Sequence, residues 1–302
     1  MKITASGCVL GAVVEEVDLA DELDELNFAK IVRALSEHGV LRFPKQMLTP
    51  IQLKQFSQRF GSLQASPTGK DCEAGLPEVT ILSNIVENGK PLGAPDAGQD
   101  WHTDMSYNNV IGYTNVLYGI EIPHRNGEAL GATMFANMKL AYDDLPDHYK
   151  QSLSKAVAVH DFNKFWEATR ARPGSRRGPM TPEMRASLPP SRHPVFLDHP
   201  VTGDKILYAN PGYTVSIEGM SDEESQETLS FLFAHQLQEK YQYFHRWSVG
   251  DVLMWDHIGT LHMANPDYTA SERRLIKRCQ VMADRVFNPS FVQRVLAPLA
   301  LG

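Results

Sequence analysis

The chain is poor in cysteine. Its 3 cysteines, Cys8, Cys72 and Cys279, are odd in number and far apart, which excludes a disulfide framework and a zinc ribbon. No apolar run approaches the roughly 18 residues of a membrane span. The opening Met-Lys-Ile-Thr-Ala-Ser-Gly-Cys has no secretory apolar core. Internal repeats and low-complexity tracts are missing as well. So is any excess of positive charge: 29 Lys and Arg face 36 Asp and Glu, a formal net charge of −7. That balance argues against a general nucleic-acid binder and leaves room for a local basic pocket that takes a small anion. The expectation is a cytoplasmic homo-oligomer with neither a nucleic-acid nor a membrane partner.

What is present is ordinary globular material. The 302 residues are 42% hydrophobic and 22% charged. A chain of this length can bury a sizeable core, and residues 1–302 read as a single domain. Apolar residues recur at helical spacing from Asp21 to His38, with Gly39 as a stop. Val40-Leu41-Arg42-Phe43 reads as a strand ended by Pro44. Thr49-Pro50-Ile51-Gln52 is a capping box that opens a helix running to Phe60, with Gly61 after it. Strands are expected at Val79–Ser83, Tyr113–Ile122, Ala132–Phe135, Ile206–Tyr208, Asp251–Asp256 and Arg274–Ala283. One helix is expected from Met138 to Val157 and another from the Ser221 capping box to Lys240. The pattern is mainly β with flanking helices and suggests a jelly-roll (double-stranded β-helix) core. Two segments, 84–98 and 170–194, read as long loops, the second with six prolines and six arginines; such loops often serve as lids.

The most informative stretch is Trp101-His102-Thr103-Asp104. Residues i and i+2 of an extended chain share a face, so His102 and Asp104 can present an imidazole and a carboxylate to one metal ion. Alone, a His-x-Asp pair arises easily by chance. His262, just past the apolar strand Val252-Leu253-Met254-Trp255, supplies a third ligand. Two histidines and one carboxylate with open positions is the arrangement of non-haem Fe(II) oxygenases. His257 lies five residues before His262 and would face the other way in a continuous strand. His160, His199 and His235 lack such partners and read as structural. Arg274 and Arg278 are four apart and share a strand face. An arginine pointing into a barrel implies a buried anion; a solvated basic edge strand is the competing reading.

Taken together, His102, Asp104, Trp255-Asp256, His262, Ala264, Asp267-Tyr268, Arg274 and Arg278 resemble the taurine dioxygenase and 2,4-dichlorophenoxyacetate dioxygenase family of Fe(II)- and 2-oxoglutarate-dependent oxygenases. The resemblance extends from Leu10-Gly11-Ala12 and Val17-Asp18-Leu19, through Arg59-Phe60-Gly61, to residues 198–212 and 230–235. It implies that His102, Asp104 and His262 hold iron. Arg274 would pair with the distal carboxylate of 2-oxoglutarate, Thr133 would assist, and Arg278 would hold the acid group of the substrate. The implied reaction consumes O2, hydroxylates a small organic acid (carboxylate, sulfonate or phosphonate) and releases succinate and CO2. The carboxylate of Asp104 favours hydroxylation over halogenation. Tyr213, with Phe162, Phe165 and Trp166, is a candidate pocket wall against the substrate. Taurine-specific members carry a His, a Tyr and an Asn where this chain has Ser66, Gly69 and Gly98, so taurine itself is disfavoured. The family's Trp-Asp-Asn is here Trp255-Asp256-His257. The rival readings are a metal-dependent hydrolase or isomerase on a cupin-like barrel, which would not need Arg274, and a non-catalytic jelly-roll binding module, which would not need the metal ligands.

Overall fold

The structure, a computed structural model, describes residues 1–66, 69–95, 98–172, 175 and 177–300. Strands β1 (Lys2–Ala5) and β2 (Ala12–Glu15) precede helix α1 (Glu25–His38) and β3 (Val40–Phe43). Helix α2 (Pro50–Ser57), β4 (Cys72–Glu73), β5 (Leu76–Ser83), β6 (Gly112–Glu121) and β7 (Thr133–Asn137) follow. The last strands are β8 (Gln242–His245), β9 (Val252–Asp256), β10 (Thr260–Ala264) and β11 (Leu275–Met282). Eight of these form one sheet in the order β1-β2-β3-β9-β6-β11-β5-β4, and three form a second, β8-β7-β10. Only the β2–β3 pair is parallel, so the large sheet is mixed.

Alternation along the strands gives the large sheet two apolar faces. Val116, Cys279, Val281, Met254, Leu41 and Phe43 point to one side, where Phe28, Ile31 and Leu35 of α1 and Leu53 of α2 cover them. Each such buried side chain contributes roughly 1.5–3 kcal/mol. Leu117, Ile276, Leu253, Trp255 and Leu82 point the other way and meet Phe135 of the small sheet. The cavity described below opens between these two inner faces.

Local signals set most boundaries. Gly39 ends α1 with φ 68°, and its N–H closes on the Leu35 carbonyl. The Thr49 box forms as expected: the Gln52 Oε1 accepts from the Thr49 amide at 2.9 Å, and Thr49 Oγ1 accepts from Gln52 N. The helix α2 nevertheless stops at Ser57, short of Phe60, and α1 begins at Glu25 behind an Asp24 cap instead of at Asp21. The expected helix over Met138–Val157 is three elements. It breaks into Met138–Asp143 and Asp147–Ser152 at Pro146, whose ring cannot continue a helix. Val157–His160 is a strand between Ser191–Pro194 and Thr214–Ile217. The helix after Ser221 ends at Gln236, with a short 3-10 turn, Glu239–Tyr241, beyond it.

The two expected loops are partly regular. The first contains the small ribbon Val86–Glu87 with Lys90–Pro91. The second contains a helix, Pro182–Ser187, and the strand Ser191–Pro194. Residues 96, 97, 173, 174 and 176 of these segments, and 301–302 at the chain end, lie outside the described residues. Among the described residues no helix is long and apolar enough to cross a membrane. Cys8, Cys72 and Cys279 are all free thiols.

Candidate metal and cosubstrate site

His102 and Asp104 do not lie in a regular strand, as the i, i+2 argument assumed. His102 forms an isolated antiparallel bridge with His262, and the chain turns at Met105, which has φ 61°. The bridge still sets the face. The amide of each residue donates to the carbonyl of the other, at 3.1 and 2.9 Å, so the two side chains stand directly opposite. Their rings are 4.2 Å apart. Thr103 points away and donates its hydroxyl to the His257 and Thr260 carbonyls, which leaves Asp104 on the His102 side. His102 Nε2 lies 3.2 Å from Asp104 Oδ1, and His262 Nε2 lies 3.7 Å from Asp104 Oδ2. One ligand atom from each of the three residues falls within 4.8 Å of the others. Close packing from behind requires glycine at 212: a Cβ there would sit 2.5 Å from the Cβ of His102.

Protonation states suit a cation. His102 Nδ1 donates to the Asp100 carbonyl at 2.7 Å, which fixes the ring with Nε2 turned toward Asp104. Burial, helped by the neighbouring His102, pushes His262 well below the usual imidazole range. Burial opposes ionisation of Asp104, but contacts from His102, His262 and the Arg278 guanidinium outweigh it and hold the carboxyl well below its usual range. A neutral imidazole at 262 and an ionised carboxylate at 104 are the metal-binding forms of those side chains. Their nitrogen and oxygen donors fit Fe(II).

Arg274 sits at the mouth of β11 with its backbone pinned. Its carbonyl accepts from Ser83 Oγ and its amide donates to Asn84 Oδ1, each at 2.8 Å. The side chain is 7% exposed, Nε has no hydrogen-bond partner, and the guanidinium lies 5.6 Å from the centre of the Tyr268 ring. Among the described residues no carboxylate forms an ion pair with it; Asp267 acts at longer range while accepting from Gly131 N and Asn265 Nδ2. Gly131, at φ 70°, makes room: a Cβ there would come within 2.9 Å of Arg274 Nε. A buried cation with no anion beside it is costly, and a ligand carboxylate would complete it.

Register gathers the remaining residues. Thr133 pairs with Ala264 and Phe135 with His262, so Thr133 shares the cavity face with His262, and its Oγ1 accepts from Trp247 Nε1 at 3.0 Å. Arg278 places Nη1 3.7 Å from Asp104 Oδ2. Tyr213 is buried, with ring centres 4.8 Å from Tyr107, 5.2 Å from Phe165 and 6.0 Å from His102. Thr133, Tyr213, Phe162, Phe165, Arg274 and Arg278 all line one cavity with the three candidate ligands. Trp166 does not line it; it packs behind Phe162 and donates to the Gly178 carbonyl.

His257 corrects the parity argument. A turn separates β9 from β10, so strand alternation does not apply, and the ring lies 5.5 Å from that of His262 with Nε2 4.0 Å from Asp104 Oδ2. It stands beside the candidate ligand set without belonging to it. His160, His199 and His235 are structural as expected, bonded to Ser106, Asp256 and the Ala141 carbonyl. Sequence reasoning missed Tyr107, Asn115 and Gln280, which also line the cavity. No local motif marks them: strand pairing brings Asn115 and Gln280 there, and Tyr107 comes from the turn that follows Asp104.

Two imidazoles, one carboxylate and a buried arginine in one cavity between two sheets define the class of mononuclear non-haem iron oxygenases with a carboxylate-bearing cosubstrate. The chain matches the taurine catabolism dioxygenase TauD, TfdA family over residues 3–280, and it belongs to that family. It is 30% identical over 294 residues to pentalenolactone F synthase of Streptomyces avermitilis, covering 94% of both chains. It is 28% identical to the alpha-ketoglutarate-dependent 2,4-dichlorophenoxyacetate dioxygenase of Cupriavidus pinatubonensis, covering 92% of this chain and 96% of that one. The crystal structure of AAD-2 in complex with Mn(II) and N-oxalylglycine superposes with a TM-score of 0.78 at 25% identity, covering 93% and 97% of the two chains. The protein is therefore a 2-oxoglutarate-dependent non-haem iron dioxygenase that uses Fe(II), 2-oxoglutarate and O2.

Proposed function

We propose that His102, Asp104 and His262 hold the Fe(II), that Arg274 grips the distal carboxylate of 2-oxoglutarate with Thr133 beside it, and that the enzyme hydroxylates a small organic acid. Residues 1–302 act as one domain on a jelly-roll core, with the described residues of segments 84–98 and 170–194 as covers over the site. The observation that carries this reading is Arg274, a buried guanidinium without an ion-pair partner among the described residues, in the same cavity as the three ligands. A hydrolase has no use for it, and a binding module has none for the three metal ligands beside it.

Bound Fe(II) supplies the oxygen-activating redox chemistry, with 2-oxoglutarate giving up electrons as it becomes succinate and CO2. The protein supplies the rest. Asp104 and the Nε2 atoms of His102 and His262 would hold the metal. Arg274 sets the direction of the cosubstrate through a bidentate pair. Leu82, Leu117, Phe162, Phe165 and Tyr213 line the cavity and keep water from the reacting carbon.

The substrate's acid group is assigned to Arg278 and its body to the wall formed by Tyr213. The relative named for 2,4-dichlorophenoxyacetate, a carboxylic acid, supports that class. The approach of Arg278 to Asp104, at 3.7 Å, favours a second reading in which this arginine belongs to the scaffold. Substrate-stimulated decarboxylation of 2-oxoglutarate, measured on paired compounds with and without the acid group, separates the two. The anchor reading expects the uncharged analogues to be inactive, and equal turnover by both members of each pair would overturn it. The reading also includes a homo-oligomer in the reducing cytoplasm. The free cysteines support the compartment, and light scattering on the purified chain tests the assembly.

A further inference from the structure

Asp104 has two oxygens in unlike surroundings. Oδ1 faces His102 Nε2 at 3.2 Å, and among the described residues no amide donates to it. Oδ2 accepts from Asn115 Nδ2 at 2.7 Å and from Gln280 Nε2 at 3.1 Å. Arg278 Nη1 and His262 Nε2 each stand 3.7 Å from the same oxygen, and His257 Nε2 stands 4.0 Å from it. Neither amide comes from near Asp104 in the chain: Asn115 lies in β6 and Gln280 in β11.

The two amides meet because of register. Gln280 and Asn115 are direct partners across β11 and β6, and Trp255 of β9 is the partner of Asn115 on its other side. Cross-strand partners project to one face with their Cβ atoms roughly 5 Å apart. One transverse row of the large sheet, Trp255-Asn115-Gln280, therefore backs two of the three candidate ligands, His262 and Asp104. Trp255 packs its ring 4.7 Å from that of His262, and the two amides converge on Asp104. Asn115 is fully buried, which makes its donation to a carboxylate strong and its loss costly.

We propose that Asn115 and Gln280 are positioning residues that engage Oδ2 of Asp104, so that this residue offers Oδ1 alone to the metal. A carboxylate free to rotate could bind through both oxygens and take up a coordination position that 2-oxoglutarate or O2 needs. Two amide donors on one oxygen oppose that rotation and leave the carboxylate ionised, whereas a cationic partner as close would compete with the metal for its charge. This inference rests on the metal reading given above.

The test uses the full chain, with Co(II) as the probe. Asn115→Leu and Gln280→Leu should each weaken Co(II) binding about 10–100-fold, the usual effect of removing the hydrogen-bond partner of a metal ligand. Thermal unfolding of the metal-free variants shows whether they fold, and Gln280→Leu, at a less buried position, carries the test if Asn115→Leu does not. A double-mutant cycle separates positioning from general support. In an Asp104→Ala background, Gln280→Leu should cost no further Co(II) affinity, because the oxygen on which it acts is gone. Single variants that bind Co(II) within about threefold of wild type would overturn the proposal, as would an undiminished loss in the Asp104→Ala background. If Asp104→Ala itself binds Co(II) as wild type does, the metal reading fails instead, so the two failures are distinguishable.

Discussion

Arg274→Met should affect the protein in opposite directions with and without its ligand. Arg274 is 7% exposed, its Nε lacks a partner and its guanidinium meets no carboxylate among the described residues. In the metal-free, ligand-free chain the substitution removes a desolvated cation and puts an apolar stem of similar length in its place. Relieving an unsatisfied buried group of this kind stabilises by about 1–3 kcal/mol. In the complex the same substitution leaves the distal carboxylate of 2-oxoglutarate buried and unpaired, which costs on the order of 3–5 kcal/mol. At 1.4 kcal/mol per decade, that is roughly two to three and a half decades in affinity. Calorimetric titration of the Co(II)-loaded protein with 2-oxoglutarate measures the second effect, and denaturant unfolding of the metal-free protein measures the first. A variant that binds 2-oxoglutarate within about tenfold of wild type, or one that is less stable without metal, would refute the reasoning.

The candidate site was legible in the sequence where chemistry and short-range geometry coincide. His102-x-Asp104 is a two-residue relation, and a backbone bridge to His262 maintains it although no regular strand does. Arg274, just before β11, and Arg278 within it kept a common side with Ile276 between them in the inner core, although the pairing with β6 slips between Leu275 and Ile276. Alternation failed for His257, because it assumed a strand where the chain makes a turn. The Asn115–Gln280 pair was out of reach for another reason: neither has a local pattern, and only the pairing of β6 with β11 makes them neighbours. Among the elements, capping boxes marked helix starts well. The 138–157 region was misread because its apolar residues suggest one helix while Pro146 forbids it.

Two further outcomes follow from packing and burial. Burial, with smaller contributions from His193 and Lys164, lowers His160 from the usual 6.5 to about 3. The unfolded chain therefore takes up a proton near pH 6.5 that the folded chain refuses until about pH 3, and stability falls as pH drops through that window by up to about 1.4 kcal/mol per unit. His160→Gln should flatten this slope in urea unfolding between pH 7 and pH 4; an unchanged slope would show that His160 does not cause it. Gly212→Ala places a Cβ 2.5 Å from the Cβ of His102 and should displace the imidazole, weakening Co(II) binding roughly tenfold or more. Wild-type affinity in that variant would show that the backbone absorbs the methyl group.

The most direct test of the account is an anaerobic Fe(II) titration of the wild-type chain beside His102→Ala and His262→Ala. Removing one of the three proposed ligands would leave too few contacts to compete with hydration, so the account predicts one Fe(II) per wild-type chain and none retained by either variant. Undiminished Fe(II) binding by His102→Ala or His262→Ala would contradict it.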